Sequence, residues 1–348
     1  MKGAIPVVSV LLTSVGTDSA VALCEALRTS FVSGLRLVGM DVRTAVACRP
    51  WLDNFTRAPP RKSPEFMEEV LRLCRTQKIT HVWPMSTEDQ LIMARESRVR
   101  LKDQVVIGSS EEVVEIANNK ISLYDFCAAR DLSVPRYKVV HDVPSLGIAA
   151  ESLGYPGKPV VLKAAFGTGA AGLKIIRPGI SRLDMFHSRL NRDVTLEVAA
   201  QQLEGVSPWP SLMLTEYLPG EEFSVDVLRF RGEWKGGVVR RRDESLFGLA
   251  TDATVVDRPD ILDVSRRIVD SLGIEFISNV QFRGAEDGRP MLMEINPRVP
   301  GTIGLSVAAG SNLPGVALAL AAGKEAVLAT PRYGTRMVRY FAGTVFQP

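Results

Sequence analysis

The sequence is poor in the residues on which much enzyme and metal chemistry is built. Only three histidines, His81, His141 and His187, are scattered through 348 residues, which argues against histidine-based catalysis and a zinc site. The four cysteines, Cys24, Cys48, Cys74 and Cys127, lack Cys-x-x-Cys spacing, and Cys24 and Cys74 fall within apolar helical patterns. They read as reduced core residues rather than zinc ligands or disulfides. Neither sign of charge dominates: 42 basic and 39 acidic residues give +3, too little to draw the chain to nucleic acid or a membrane surface. No apolar run approaches the ~20 residues of a spanning helix. The stretch 4–12 is broken by Pro6 and Ser9 and lacks a clear cleavage site, so a buried first strand and a cytoplasmic protein are expected. Repeats and low-complexity tracts are missing as well.

What remains is an ordinary globular composition, 46% apolar and 23% charged, in a chain long enough for two or three subdomains. Residues 6–13 suit a strand buried on both faces. A helix follows, capped by Thr17 or Asp18, with Ala20, Leu23, Cys24 and Leu27 in an apolar stripe; residues 35–40 form the next strand, ending at Asp41. This β–α–β order predicts a Rossmann-like unit. A dinucleotide reading, with Asp41 on a ribose, fails for want of glycines: Val15-Gly-Thr-Asp18 holds one where the fingerprint needs three. Helices are expected over 64–78 and 87–97, and strands over 80–85 and 104–107. Ser109-Ser-Glu-Glu112 has capping-box spacing and opens another helix, closing a first domain near residue 110.

Beyond it, Asn118-Asn-Lys120 precedes a helix over 121–131, and another is expected near 143–153. Strands at 160–163 and 173–176 flank Phe166-Gly-Thr-Gly-Ala-Ala-Gly172. Its glycines let backbone amides close over phosphates, and Lys163 before it supplies a point charge. No helix follows Gly172, so the segment predicts a mobile flap and not a Walker loop. Residues 212–218, a Pro219-Gly220 turn and residues 223–228 read as strand, turn, strand. Ser224 and Asp226 share one face there, as do Arg240 and Arg242 on a strand over 236–243. The arginine run serves either as a solvated face or as an anion site. A loop is expected over 244–249 and an amphipathic helix over 259–272. The strand 336–341 either closes the main sheet or lies at an interface.

The most informative stretch is 288–302. Glu294, Asn296 and Arg298 alternate along an apolar strand, so they point one way while Met293 and Ile295 point into a core. A preceding strand, 278–282, carries Gln281. If the two pair, Gln281, Glu294 and Asn296 converge as three hard oxygen donors suited to magnesium together with substrate phosphates.

This word, Asn279-Val-Gln-Phe282 followed by Glu294-Ile-Asn-Pro-Arg298, resembles the ATP-grasp superfamily, and within it the carbamoyl-phosphate synthetase large-subunit branch. The resemblance implies an α/β chain: a Rossmann-like domain (1–110), an ATP-grasp lid subdomain of α+β character (111–215) and a C-terminal subdomain with the metal site (216–348). It implies ATP and magnesium, with manganese as a substitute. Lys120 and Lys163 would meet phosphates under the lid glycines Gly167 and Gly169. Backbone at Glu216, Tyr217 and Leu218 would read adenine, and Glu222 the ribose. Gln281, Glu294 and Asn296 would hold metal, while Arg298 and Arg242 act on the transferred phosphoryl and the carboxylate. The expected activity joins a small carboxylate, such as an amino acid, to an amine or ammonia through an acyl phosphate. A kinase on the same fold and a non-catalytic ATP-binding module are the alternatives. Small molecules are the expected partners, with a homodimer expected by analogy.

Overall fold

The computed structural model describes residues 8–30, 32–167, 172–188, 192–246, 248–340 and 342–345. Its first sheet is parallel throughout: β1 (Ser9–Thr13), β2 (Arg36–Asp41), β3 (Asn54–Arg57), β4 (His81–Pro84) and β5 (Val105–Val106), in the order β3-β2-β1-β4-β5. Every residue of β1 is buried, as a central parallel strand covered on both faces requires. Helices α1 (Ala20–Arg28), α2 (Glu65–Thr76) and α3 (Thr87–Glu96) connect the strands. The expected caps are absent. Ser19, not Thr17 or Asp18, is the N-cap of α1, and its side chain makes no capping bond. Helix α4 (Glu111–Asn118) starts at Ser110 without a side-chain cap. The Ser109 hydroxyl instead donates to the Glu275 carbonyl and accepts from its amide, at 3.2 and 2.9 Å, so a tertiary contact outcompetes the local capping box.

Helix α5 (Lys120–Ala128) begins one residue earlier than expected, with the Asn119 side chain accepting from the amides of Ile121 and Ser122. A second sheet follows: β6 (Tyr137–Val140), α6 (Val143–Ser152), β7 (Val160–Ala164), β8 (Lys174–Ile176), α7 (Arg182–His187), β9 (Asp193–Val194), α8 (Leu196–Leu203) and β10 (Leu212–Glu216). Its strand order is β6-β10-β7-β8-β9. The third sheet is antiparallel and six-stranded. It contains β11 (Glu222–Phe230), β12 (Glu233–Leu246), β13 (Leu249–Val255), β14 (Phe276–Gly284), β15 (Pro290–Asn296) and β16 (Arg336–Val338), ordered β15-β14-β11-β12-β13-β16. Strands β10 and β11 never pair: the Pro219-Gly220 turn carries the chain from one sheet into the next. The loop expected over 244–249 is mostly strand, the end of a β12–β13 hairpin, and Phe247 lies outside the described residues. Strand β16 edges the main sheet beside β13; Phe341 is also outside the described residues.

Two cores grip the main sheet. On one face Phe223, Val225, Val227, Val280, Phe282 and Ile295 pack against α5 and α9 (Pro259–Leu272). Helix α9 starts on Pro259 and ends where Gly273 adopts φ +74°, the left-handed C-terminal turn that glycine tolerates best. On the other face α10 (Ile303–Ala308) and α11 (Leu313–Ala321) fill the space between this sheet and α1. Helix α11 is apolar all round because neighbours cover it on every side; Leu313, Val316, Ala317, Leu318 and Ala319 are all buried. Burying each of the larger side chains, Leu313, Val316 and Leu318, contributes roughly 1.5–3 kcal/mol. Among the described residues no helix is long and apolar enough to cross a membrane.

At the turn between sheets, a Cβ on Gly220 would lie 2.7 Å from the Gly284 carbonyl oxygen and 2.8 Å from its Cα, both backbone atoms that cannot swing aside. Gly220→Ala is expected to cost about 1–3 kcal/mol by overpacking. Gly147→Ala, inside α6 with no atom within 4 Å, should stabilise by about 0.5–1 kcal/mol. Denaturant midpoints of the two variants check both signs.

Candidate nucleotide and acceptor cleft

The register of the main sheet arranges its polar face in rows. Arg283, Glu222 and Arg242 stand side by side across β14, β11 and β12. The next row runs Glu294, Gln281, Ser224 and Arg240, and the third Asn296, Asn279 and Asp226. Strands β14 and β15 therefore pair as their sequences suggested, with Gln281 opposite Glu294.

One expectation about β15 fails. Register shifts by one residue between Gln281 and Phe282, whose partner is Leu292, so Met293 is the extra residue of a β-bulge. Leu292 and Ile295 go into the core, whereas Met293 turns out to line the cleft beside Glu294. The fully buried Tyr124 donates its hydroxyl to the Met293 carbonyl at 3.2 Å and fixes the bulge. Arg298 also departs from strand alternation. Strand β15 ends at Asn296, and the Arg298 amide donates back to the Asn296 carbonyl at 2.8 Å.

The cleft lies between the second and third sheets. Lys120, Lys163, Gly167, Glu216, Tyr217, Leu218, Glu222, Arg242, Gln281 and Glu294 all line it. Gly169 lies outside the described residues. Val161, Ile175, Leu218 and Met293 supply apolar lining. Lys120 clips the lid strand to α5: its amide donates to the Ala165 carbonyl at 2.9 Å and its Nζ to the Gly167 carbonyl at 3.1 Å. Its Nζ also stands 3.5 Å from Glu294. Glu294 accepts from Asn296 Nδ2 at 3.1 Å, and Gln281 Oε1 accepts from Arg242 at 2.8 Å. Glu222 pairs with Arg283 at 2.8 Å and lies 3.8 Å from Arg242. The Glu216 carboxylate is turned away, held by the Arg136 amide and guanidinium at 2.9 and 3.0 Å.

Glu294, Gln281 and Arg242 continue into a second pocket, strongly polar, which Asn296, Arg298, Asp18 and residues 300–302 also line; Asn296 does not line the first cleft. Arg298 likewise belongs to this pocket and not to the first cleft. No set of three His, Cys, Asp or Glu residues able to hold a metal exists among the described residues; the available hard donors are one carboxylate and two amides. The reading of Asp41 as a ribose ligand is excluded by geometry. Its carboxylate accepts from the Gly16 amide at 2.7 Å and the Arg43 amide at 2.9 Å, and Arg43 fills the space above Gly16.

Sequence reasoning overlooked Asn279 and Arg283, although both sit two residues from Gln281 on β14 and the strand period would have found them. Met293 and Asp18 had no such signal, because a bulge and a distant loop bring them in.

Residues 209–342 match the family described as ATP-grasp in the biosynthetic pathway with Ter operon. The carbamoyl phosphate synthase large chain of Archaeoglobus fulgidus is 27% identical over 232 residues, 63% of this chain and 20% of that one. The Bifidobacterium adolescentis large chain is 25% identical over 240 residues, 66% and 20%. The chain spans about a fifth of the length of these relatives. Among solved structures, Staphylococcus aureus N5-carboxyaminoimidazole synthetase complexed with ADP superposes with a TM-score of 0.70 at 14% identity, covering 92% of this chain and 78% of that one. The biotin carboxylase domain of Hydrogenobacter thermophilus 2-oxoglutarate carboxylase, with MgADP and bicarbonate, gives 0.69 at 15%, covering 94% and 72%. Bacillus licheniformis L-amino acid ligase gives 0.64 at 14%, covering 91% and 75%. The chain has the ATP-grasp fold, an α/β architecture with a Rossmann-like sheet ahead of two antiparallel-rich sheets.

Burial, with Lys120 nearby, lowers the Lys163 ammonium to about 8, against the pull of Glu294 and Glu222. A phosphate ligand needs the protonated form, so nucleotide affinity should fall as pH rises through about 8. Binding at pH 8 to 9 should take up a proton, because phosphate restores the charge. Calorimetry in buffers of different ionisation heat checks this, and Lys163→Met should abolish the proton uptake. For stability the sign is opposite. The unfolded lysine holds its proton up to its ordinary value, so stability lost to the buried charge returns as pH rises above about 8.

Proposed function

We propose that the protein is an ATP-dependent ligase that joins a small carboxylate to an amine or ammonia, forming ADP and phosphate. The observation that supports this most is the convergence of Lys120, Lys163, Arg242, Gln281 and Glu294 on one cleft that opens into a polar second pocket. Phosphoryl transfer to a carboxylate needs positioning and charge neutralisation and no nucleophilic side chain, and the cleft contains cations and hard oxygen donors.

In this reading adenine enters between Val161, Ile175, Leu218 and Met293. The Glu216 amide is already bonded to the Arg136 carbonyl at 3.0 Å, so base recognition falls to the backbone of Tyr217 and Leu218. Glu222 accepts from the ribose hydroxyls, Lys163 and Lys120 meet the phosphates, and the lid glycines Gly167 and Gly169 close over them. Gln281, Glu294 and Asn296 fit magnesium, or manganese in its place: neighbouring positions on one sheet face present a carboxylate and two amide oxygens, and phosphates complete the shell. Bound there, the metal supplies charge neutralisation of the phosphate oxygens. Arg242, its side chain 8% exposed, spans both pockets and holds the transferred phosphoryl in line, while Arg298 orients the acceptor carboxylate. The acceptor oxygen attacks the γ-phosphorus and ADP leaves. The nitrogen nucleophile then displaces phosphate from the acyl phosphate, which the closed lid keeps from water.

Glu294→Gln retains shape and removes the only carboxylate of the donor set. It should lower kcat by about 10²–10³-fold, the scale of losing one transition-state stabilising group, with the fold intact by circular dichroism. Equal ADP release by variant and wild type would remove Glu294 from the site. ADP and a stable phosphorylated product, with no amide from any amine, would favour the kinase alternative.

A further inference from the structure

Helix α5 meets β15 at two points one helical turn apart. Lys120, its first residue, brings Nζ to 3.5 Å from the Glu294 carboxylate. Tyr124, four residues on and so on the same side of the helix, donates its hydroxyl to the Met293 carbonyl at 3.2 Å. The two contacts fall on consecutive residues of the strand. Lys120 also donates to the Gly167 carbonyl and is required for phosphate in the reading above, so its side chain has competing partners. Tyr124 is fully buried and stands behind the cleft, not among the residues that line it.

The Tyr124 contact falls on the β-bulge, and the bulge decides where Glu294 points. In an unbroken strand Leu292 and Glu294 would share a face, because side chains alternate with a period of two. With Met293 as the extra residue, Leu292 is fully buried opposite Phe282 while Glu294 faces the cleft opposite Gln281. Loss of the bulge would carry one of the two onto the wrong face. The Leu292 amide is held as well, donating to the Ser133 carbonyl at 3.0 Å. Tyr137 braces the Tyr124 ring edge-on, with centroids 5.3 Å apart, and itself donates to Asp125. Burial, and after it the Glu294 charge, pushes the Tyr124 phenol well above its ordinary value, so at neutral pH it stays protonated and a donor.

Resting on the metal site of the ligase reading above, we propose that Tyr124 is a positioning residue for that site. Its hydroxyl pins the bulge that keeps Glu294 turned toward the metal and Met293 toward the nucleotide. Magnesium demands near-octahedral donors at about 2.0–2.1 Å, a tolerance that a carboxylate on a slack bulge does not meet. Glu294 is the one carboxylate among the three donors, so its orientation carries the negative charge of the set. Tyr124 makes and breaks no bond in the reaction; it acts through the Met293 peptide alone.

The test compares the full chain with Tyr124→Phe, which keeps the ring and removes the hydroxyl. The control is Cys127→Ala, which trims a fully buried side chain on the same helix and leaves the bulge contact alone. Both variants should lower the denaturant midpoint, so lost stability does not tell them apart. Calorimetry then measures binding of a non-hydrolysable ATP analogue with magnesium and with a chelator. Magnesium should tighten binding to the wild type and to Cys127→Ala. In Tyr124→Phe that gain should shrink by about ten-fold, with metal-free affinity unchanged. Manganese bound with the analogue should give an altered electron paramagnetic resonance spectrum in Tyr124→Phe and the wild-type spectrum in Cys127→Ala. A full magnesium gain in Tyr124→Phe, an equal loss of gain in both variants, or a matching fall in metal-free affinity overturns this inference and leaves the ligase reading standing. No binding of the analogue by the wild type, or binding that magnesium leaves unchanged, overturns the nucleotide and metal reading and this inference together.

Discussion

The site depends on an ion pair that has no access to water. Asp226 and Arg240 are both fully buried in the main sheet, and their side chains bond directly to one another. A buried charge is tolerated only when paired and hydrogen-bonded. Here Asn279 donates to Asp226 at 2.9 Å, Ser306 donates to it at 2.6 Å, and Arg240 also reaches Thr302. One Arg240 nitrogen, Nε, is left without a partner, which makes the remaining contacts less dispensable. The pair ties β11, β12 and β14 to α10 and to the turn at residue 302. Removing one partner of such a pair costs about 3–5 kcal/mol, because the other charge stays buried.

From that anchor the rest of the polar face is set by contact. Asn279, held by Asp226, accepts from Gln281 at 3.2 Å, and Gln281 in turn accepts from Arg242. Arg242 also donates to the Gly248 carbonyl at 2.7 Å, so the β12–β13 hairpin is fixed relative to β14. The groups proposed to act on phosphate are thus positioned before any ligand arrives, and preorganised charge contributes most in a site shielded from water. Glu222 and Glu294 are the internal counter-charges of the same cluster. They oppose the depression of the Lys163 ammonium that burial and Lys120 impose.

Much of this was legible in the residues, where it rested on local periodicity. Helix α9 spans the expected 259–272, since Pro259 and Gly273 mark its ends and Ile261, Ile268 and Leu272 its buried stripe. The β14–β15 pairing followed from two apolar runs with polar residues at a period of two. What escaped was decided by contacts between distant segments. Ser109 gave its hydroxyl to Glu275 and not to a helix cap, and one Tyr124 bond to a carbonyl stabilises a bulge invisible in the strand's composition. Strands β10 and β11 flank a turn that resembles a hairpin, yet they belong to different sheets.

The sequence by itself determined which side chains could share a face, because strand and helix periods are fixed by backbone geometry. It placed Gln281, Glu294 and Asn296 together, and Arg240 beside Arg242. Only the tertiary structure decided which way those faces look and what stands opposite them. It set Arg240 in the buried anchor and Arg242 in the cleft, turned Met293 from the core into the cleft, and brought Asp18, from the loop after the first strand, to the second pocket. Such choices depend on packing and on the cost of burying charge, which belong to the whole fold and not to any stretch of chain.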